Sequence, residues 1–483
     1  MFFVILVISI ICFAVDIFCV YWFKHAFNLN MAFTAFETNS KESVEFLETY
    51  LNWKLLGIYL VFILLSIFYW LKITLKVPSK IYYAFLAFCL FGFINFAIHI
   101  RTIYKPGYYY WARPEISYIT PLGFATKLHF VSKEIESMLQ AVQKLKTQLR
   151  STQIDIQTES KTNIANFALI IGESTQRGHM QLYGYPKPNT PNLIKLQQQG
   201  NLFVFTDVIS PHAQTNLSLQ TVLTFANYEN AKTPWYQQAN LVSIVQTQYP
   251  TYWFSNQEPP IYPYPPSLIG SLAQYSNFVA EQYTGFDERL LQAFDSANIT
   301  SQKGFYVFHL MGTHGTYQSR YPKAFELFPI PAFNTHQRRI TQYDNAIFYN
   351  DYIVSEIFKR FASKDALVLY FSDHGEEVHE LGEFVGHGSN PASRFQLEIP
   401  MMIYVSDIFK QKHPEIVQKI QASLNRPYMT DDLIHTILDL LGIKTAESQS
   451  SRSIVSKDFD TKRKRMIGNQ DYDKDLKGQK ALR

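Results

Sequence analysis

Two short segments of this chain bring together residue types that hold metal ions. One reads Phe167-Ala-Leu-Ile-Ile171 and continues Gly172-Glu173-Ser174-Thr175. The other reads Leu367-Val-Leu-Tyr-Phe371 and continues Ser372-Asp373-His374-Gly375-Glu376-Glu377. A carboxylate at one strand end and an adjacent Asp-His pair at another supply the oxygen and nitrogen donors that zinc takes. A capping aspartate and a hydrogen-bonded loop histidine fit the same residues, and spacing alone does not separate the two readings. Between the segments lies Val208-Ile-Ser-Pro-His-Ala-Gln-Thr215-Asn-Leu-Ser-Leu219, after the apolar run Leu202–Phe205. A hydroxyl at a helix start has backbone N–H groups aimed past it, which suits an attacked phosphate. The same position also suits a simple helix N-cap.

The elements that must position these groups are legible as apolar runs. Phe167–Ile171, Leu202–Phe205, Thr251–Phe254, Phe305–Leu310, Ala366–Phe371 and Pro400–Val405 have the length and the β-branched and aromatic content of buried central strands. Helical patterns such as Tyr343–Phe361 and Asp431–Leu441 separate them. The expected architecture is α/β, a mostly parallel sheet sandwiched by helices, with reactive groups where strands end. No internal repeat or low-complexity tract is visible. The tail after Glu447 is polar, and its basic run Lys462–Arg465 reads as solvated surface, with anionic lipid or glycan phosphate as the lesser alternative.

The N-terminal hundred residues are different. Of the 483 residues 47% are hydrophobic and only 17% charged, and the apolar excess is concentrated there. Met1–Phe23 is broken by Asp16 alone, and Leu55–Leu71 and Ile81–Ile100 follow. Each has about the length of a membrane span, roughly 20 residues. The first run lacks a basic n-region and a small-residue cleavage site, so it reads as an anchor rather than a removed signal peptide. Lys72, Lys76 and Lys80 mark the connection between the second and third runs as cytoplasmic, which puts the chain beyond Arg101 on the outer side. Phe36–Leu51 reads as a short interfacial helix. Phe124–Arg150 has helical, mixed-charge patterning and reads as a bridge, with lipid contact along it. The expected division is 1–123 transmembrane, 124–160 bridge and linker, 161–473 catalytic α/β domain and 474–483 polar tail. Cys12, Cys19 and Cys89 all lie in the apolar part, so the soluble part has no disulfide and no cysteine metal site. A net charge of +4, with no helix-turn-helix, zinc-finger or RNA-binding signature, gives no case for nucleic acid.

The run Ile171-Gly-Glu-Ser-Thr-Gln-Arg-Gly-His179 with Leu182-Tyr-Gly-Tyr-Pro186 resembles the opening motif of the lipopolysaccharide phosphoethanolamine transferases. These are membrane-anchored members of the alkaline phosphatase and sulfatase superfamily. The resemblance continues through Leu223-Thr-Phe-Ala-Asn227, Trp253-Phe-Ser-Asn-Gln257, His309-Leu-Met-Gly-Thr-His314, Tyr343-Asp-Asn345, Phe371-Ser-Asp-His-Gly-Glu-Glu377, Arg452-Ser-Ile-Val455 and Ile467-Gly-Asn469. It spans about residues 30 to 473 and is nearest the branch that modifies core heptose.

The resemblance implies zinc ligands at Glu173, Asp373 and His374, with Thr215 as nucleophile and fourth ligand; Ser174, Thr175 and Ser218 are the competing hydroxyls. It implies substrate or second-metal roles for His314 and His387, the ethanolamine ammonium or a second metal for Glu376, and weaker roles of that kind for Asn256 and His309. Implied partners are phosphatidylethanolamine as donor, a lipopolysaccharide core or lipid A sugar as acceptor, and inner-membrane lipid, with the catalytic domain in the periplasm. The chain departs from the family in two ways. Family members have five membrane helices where three are expected here, so that Met1–Phe23 matches their third; and many carry disulfides in the soluble domain. A sulfatase maturing a formylglycine is disfavoured because Thr215-Asn-Leu-Ser-Leu219 offers no C/S-x-P-x-R context. The alternatives are a phosphoglycerol transferase of the lipoteichoic acid type and an inactive glycan- or lipid-binding module.

Overall fold

In the computed structural model the described residues are 164–482 apart from 261–263, 281–284 and 389–391, preceded by 2–23, 53–72, 120–150, 159–160 and scattered positions at 26–51 and 83. Seven strands form the central sheet: β1 (Asn166–Gly172), β2 (Leu202–Phe205), β3 (Thr251–Ser255), β4 (Tyr275–Phe278), β5 (Gly304–His309), β6 (Ala366–Ser372) and β7 (Met401–Val405). Their spatial order is β2-β7-β6-β1-β5-β3-β4. All ladders are parallel except those that β7 makes with β2 and β6. The six expected strands are therefore present in a mostly parallel sheet. The seventh, β4, was not anticipated: it is an edge strand with Tyr275 and Ser276 exposed, so it lacks the apolar run of a buried strand.

Side-chain alternation divides each central strand between two cores. Phe167, Leu169, Ile171, Leu367, Leu369 and Phe371 face one; Ala168, Ile170, Val368 and Tyr370 face the other. Helices α4 (Thr215–Val222) and α6 (Leu433–Leu441) cover the first face through Leu219, Val222, Leu433, Ile437 and Leu441. Helix α5 (Thr335–Phe361) covers the second through Ile347, Ile353, Val354, Ile357 and Phe361. It starts eight residues before its expected Tyr343, capped by Asn334, whose side chain accepts from the Gln337 N–H at 2.9 Å. Burial on both faces is what makes the strands continuous apolar runs.

Before the sheet lie α1 (Phe2–Phe23), α2 (Trp53–Lys72) and α3 (Thr120–Arg150). Helices α1 and α2 coincide with the first two expected membrane runs, and Asp16 accepts a hydrogen bond from the Phe27 N–H at 2.9 Å. Among the described residues, no helix is long and apolar enough to cross a membrane. The third run, Ile81–Ile100, lies outside the described residues apart from Tyr83, and so does much of the expected helix Phe36–Leu51. Helix α3 packs against protein: Met138 and Val142 enter the core of the α/β part, and Val131 joins Cys19, Phe27, Ala32 and Leu217 in a separate cluster.

The basic run Lys462–Arg465 differs from its expected reading. Lys462 and Lys464 are exposed, but Arg463 pairs with Asp431, Asp432 and Glu229. Arg465 is buried against Asp207 and Asp473. Alternate residues thus hold the C-terminal segment to the body instead of facing solvent.

Candidate active site and metal centre

The register of two parallel strands builds the first half of the site. Gly172 of β1 is paired with Ser372 of β6, so the next residues, Glu173 and Asp373, leave the sheet side by side. The crossing is fixed by hydrogen bonds from the Asp373 N–H to the Gly172 carbonyl (3.0 Å) and from the Thr175 N–H to Ser372 Oγ (2.8 Å). Ser174 makes the turn at φ +56°, a left-handed conformation uncommon for a residue with a side chain. Its N–H donates to Asp373 Oδ1 at 3.0 Å, and its carbonyl accepts from Tyr343 Oη at 2.7 Å and Thr313 Oγ1 at 3.0 Å. Gly312 lies behind Glu173 at φ +53°, where a Cβ would stand 2.8 Å from the Glu173 carbonyl oxygen and 2.9 Å from its nitrogen. Only glycine fits there.

Thr215 arrives from the segment after β2. It is the first residue of α4, preceded by an extended Gln214 that makes no side-chain cap. Its hydroxyl does not cap the helix; Oγ1 sits 3.1 and 3.3 Å from the two Glu173 oxygens and 3.3 Å from His374 Nε2. The competing hydroxyls are all buried and engaged. Ser218 Oγ donates to the Asp373 carbonyl at 2.6 Å, Ser174 Oγ to Glu173 Oε1 at 2.7 Å, and Thr175 Oγ1 meets the Glu173 carbonyl at 3.3 Å and Thr313 Oγ1 at 3.1 Å.

The donor set fits a cation. Oxygen and nitrogen atoms of Glu173, Asp373 and His374 all lie within 4.8 Å of one another. His374 Nδ1 is 2.7 Å from the Gly375 carbonyl, which can only accept, so Nδ1 carries the proton and Nε2 turns a lone pair to the cluster. Asp373 Oδ2 is buried and has no hydrogen-bond partner among the described residues, an arrangement that a cation would complete. Burial pushes the Glu173 carboxyl up; burial together with the Glu173 charge pushes Asp373 up to about 7. Burial also holds His374 below its ordinary value, hence neutral and able to ligate.

A second corner adjoins the first. His374, Glu376 and His387 also bring ligand atoms within 4.8 Å, and the rings of His374 and His387 are 4.2 Å apart. Glu376 accepts from Tyr317 Oη at 2.7 Å and holds His387 Nδ1 at 2.7 Å. Burial alone would lower His387, but the charges of Glu376, Glu173 and Asp373 outweigh it and raise it to about 8. The His314 ring lies 5.8 Å from that of His387, with Nδ1 buried and without a hydrogen-bond partner among the described residues.

Asn256 and His309 stand behind the site. Asn256 Nδ2 donates to Asp287 Oδ1 at 2.9 Å, and Asp287 accepts the N–H groups of Met311 and Gly312 at 2.8 and 2.9 Å. It therefore shapes the loop that carries His314. The His309 ring is stacked on Tyr264 and edge-on to Trp253, with neither nitrogen hydrogen-bonded among the described residues. Burial holds it down to about 3, which makes it an apolar packing group. Sequence reasoning passed over Gln257, whose Nε2 reaches Glu173 Oε2 at 3.5 Å and the Leu310 carbonyl at 2.8 Å. It also passed over Tyr343 and Gly312. All three lie inside quoted motifs, which was the available signal.

The family described as Sulfatase matches residues 165–443, more than half of the chain. The phosphoethanolamine transferase EptC of Escherichia coli (strain K12) is 28% identical over 471 residues, covering 92% of this chain and 80% of that protein. The crystal structure of the C-terminal periplasmic domain of EcEptC from Escherichia coli in complex with Zn superposes with a TM-score of 0.60 at 30% identity, covering 66% of this chain and 96% of that one. The integral membrane protein lipooligosaccharide phosphoethanolamine transferase A of Neisseria meningitidis shares the fold, with a TM-score of 0.66 at 21% identity over 93% of this chain and 86% of its own. The fold is that of the sulfatase and alkaline phosphatase superfamily. Within it, the chain belongs to the phosphoethanolamine transferase family.

Proposed function

We propose that this chain moves phosphoethanolamine from phosphatidylethanolamine to a lipopolysaccharide sugar, core heptose in the first instance, through a covalent intermediate on Thr215. The observation that carries this reading is Thr215 Oγ1, held 3.1 and 3.3 Å from the two Glu173 oxygens and 3.3 Å from His374 Nε2, whereas the neighbouring hydroxyls of Ser218 and Thr175 are engaged by main-chain carbonyls. The names of the relatives support the donor group, and the zinc complex of the Escherichia coli domain supports the metal.

Glu173, Asp373, His374 and Thr215 would hold zinc, which when bound supplies Lewis acidity that lowers the pKa of the hydroxyl beside it and offsets phosphoryl charge. Thr215 Oγ1 attacks the phosphorus of the lipid; the bond to the diacylglycerol oxygen breaks, and diacylglycerol leaves with a proton. The phosphoethanolamine ester on Thr215 is then attacked by a sugar hydroxyl, and Thr215 recovers its proton. His387, held through Nδ1 by Glu376, is placed to move protons in these steps, and His314 stands beside it.

Both substrates are amphiphiles, and we assign residues 1–123 to the inner membrane and 161–473 to the periplasm, joined by 124–160. Outward-facing Ile11, Phe13, Val20, Leu60, Val61 and Leu64, between 44% and 58% exposed, support lipid around α1 and α2. Purified protein given the lipid alone should release diacylglycerol and gain the headgroup mass on the peptide containing Thr215. Lipopolysaccharide from a deletion strain should lack one phosphoethanolamine on its core by mass spectrometry. Retention of every phosphoethanolamine there would overturn the acceptor, and label taken from phosphatidylglycerol instead would favour the phosphoglycerol transferase.

A further inference from the structure

The second corner is held from outside the α/β part. Tyr50 is buried and donates its phenol to the Val385 carbonyl at 3.1 Å. Val385 and Gly386 pair with Val378 and Glu377 in a short antiparallel ladder, so the contact falls two residues before His387 and opposite the strand that follows Glu376. Gly386 has φ +131°, and a Cβ there would collide with the Tyr50 oxygen, so the phenol needs glycine backbone to lie against.

Tyr50 is itself anchored to α1. Trp22 Nε1 donates to the Tyr50 carbonyl at 2.8 Å. The Tyr50 ring lies 4.8 Å from Phe46 and 5.5 Å from Phe23, and Phe23 reaches Phe384 at 6.1 Å. Burial pushes the phenol up, so it remains a hydrogen-bond donor. The hairpin's own ties are two residue pairs and one further backbone hydrogen bond, from the His379 N–H to the Phe384 carbonyl at 3.2 Å, and the phenol adds a hold from outside it.

We propose that Tyr50 is a positioning residue that fixes the Val385–Gly386 backbone, aims His387 at Glu376 and His374, and so makes the N-terminal helices a working part of the site. The inference rests on the role given to His387 above. It is tested in the full chain in lipid nanodiscs with Tyr50→Phe, which keeps the ring and removes the hydrogen bond. The thermal midpoint should not move, while amide exchange in the 377–387 peptide should rise about fivefold to tenfold, the worth of one buried hydrogen bond. Diacylglycerol release should fall by a similar factor in kcat with KM within twofold. In a His387→Gln background the further change should vanish, because Tyr50 acts through His387. Unchanged exchange in that peptide overturns the proposal, as does an undiminished loss in the His387→Gln background. If wild-type protein releases no diacylglycerol, the transferase reading falls, and the exchange measurement still decides the role of Tyr50.

Discussion

The two corners of the site are built by different means. Glu173 and Asp373 leave adjacent paired strands of the sheet centre, where register alone sets them side by side. Glu376 and His387 sit on a loop closed by a two-pair ladder and by a phenol from outside the α/β part. The first corner rests on the register of the sheet; the second rests on contacts between a loop and the N-terminal residues. In the function proposed above, the first corner would seat the phosphorus and the second would border both substrates in turn.

Disabling the first corner should have the largest effect. Thr215→Ala should lower diacylglycerol release on the order of 10⁴-fold or more and abolish the covalent adduct, with the thermal midpoint unchanged; a variant that still forms the adduct would place the nucleophile elsewhere. His387→Gln strikes the second corner and should cost on the order of 10²-fold in kcat while zinc content by elemental analysis stays at the wild-type level. Loss of zinc in that variant would mean the corners are one. Gly312→Ala should do the reverse. Its methyl group would press on the Glu173 backbone, and metal affinity in chelator competition should weaken by about 10- to 100-fold.

The smallest effect is a pH dependence of stability set beside the second corner. His179 Nε2 meets Glu380, a loop residue beyond Glu376, at 3.0 Å, and Nδ1 meets Asp344 at 3.3 Å. Burial alone would lower its pKa, but these carboxylates outweigh burial and raise it to about 9, above an unfolded value near 6.5. A raised pKa stabilises fully below the unfolded value and is lost as pH climbs through the folded one. The thermal midpoint should therefore fall between about pH 6.5 and 9, and His179→Gln should flatten that slope. An equal slope in the variant would remove His179 from the account.

How much of this could be read from the sequence follows from the same contrast. The central strands were legible because burial on both faces leaves uninterrupted apolar runs, whereas half-exposed β4 carries no such mark. Strand ends rich in acids marked the first corner. Spacing could not separate a ligand from a capping residue, and the family motifs narrowed it to Glu173, Asp373 and His374. The supports were not legible. The motifs contain Gly312 and Gln257 but do not say that either stands behind Glu173, and Tyr50 meets Val385 across 335 positions of chain. The basic run Lys462–Arg465 misled because charge alone does not reveal that Arg463 and Arg465 have acids waiting beneath them.

Leu217, two positions after Thr215, is buried with Cys19, Phe27, Ala32 and Val131, while Leu219 and Val222 of the same helix face the sheet. The short rod that presents the Thr215 hydroxyl is therefore clasped on both sides, by the N-terminal helices and by the sheet. Solvents harsh enough to strip the N-terminal helices away would slacken that rod while the sheet stays intact. Preparations could then look well folded by circular dichroism and yet work slowly, and choice of detergent becomes a variable of the chemistry itself.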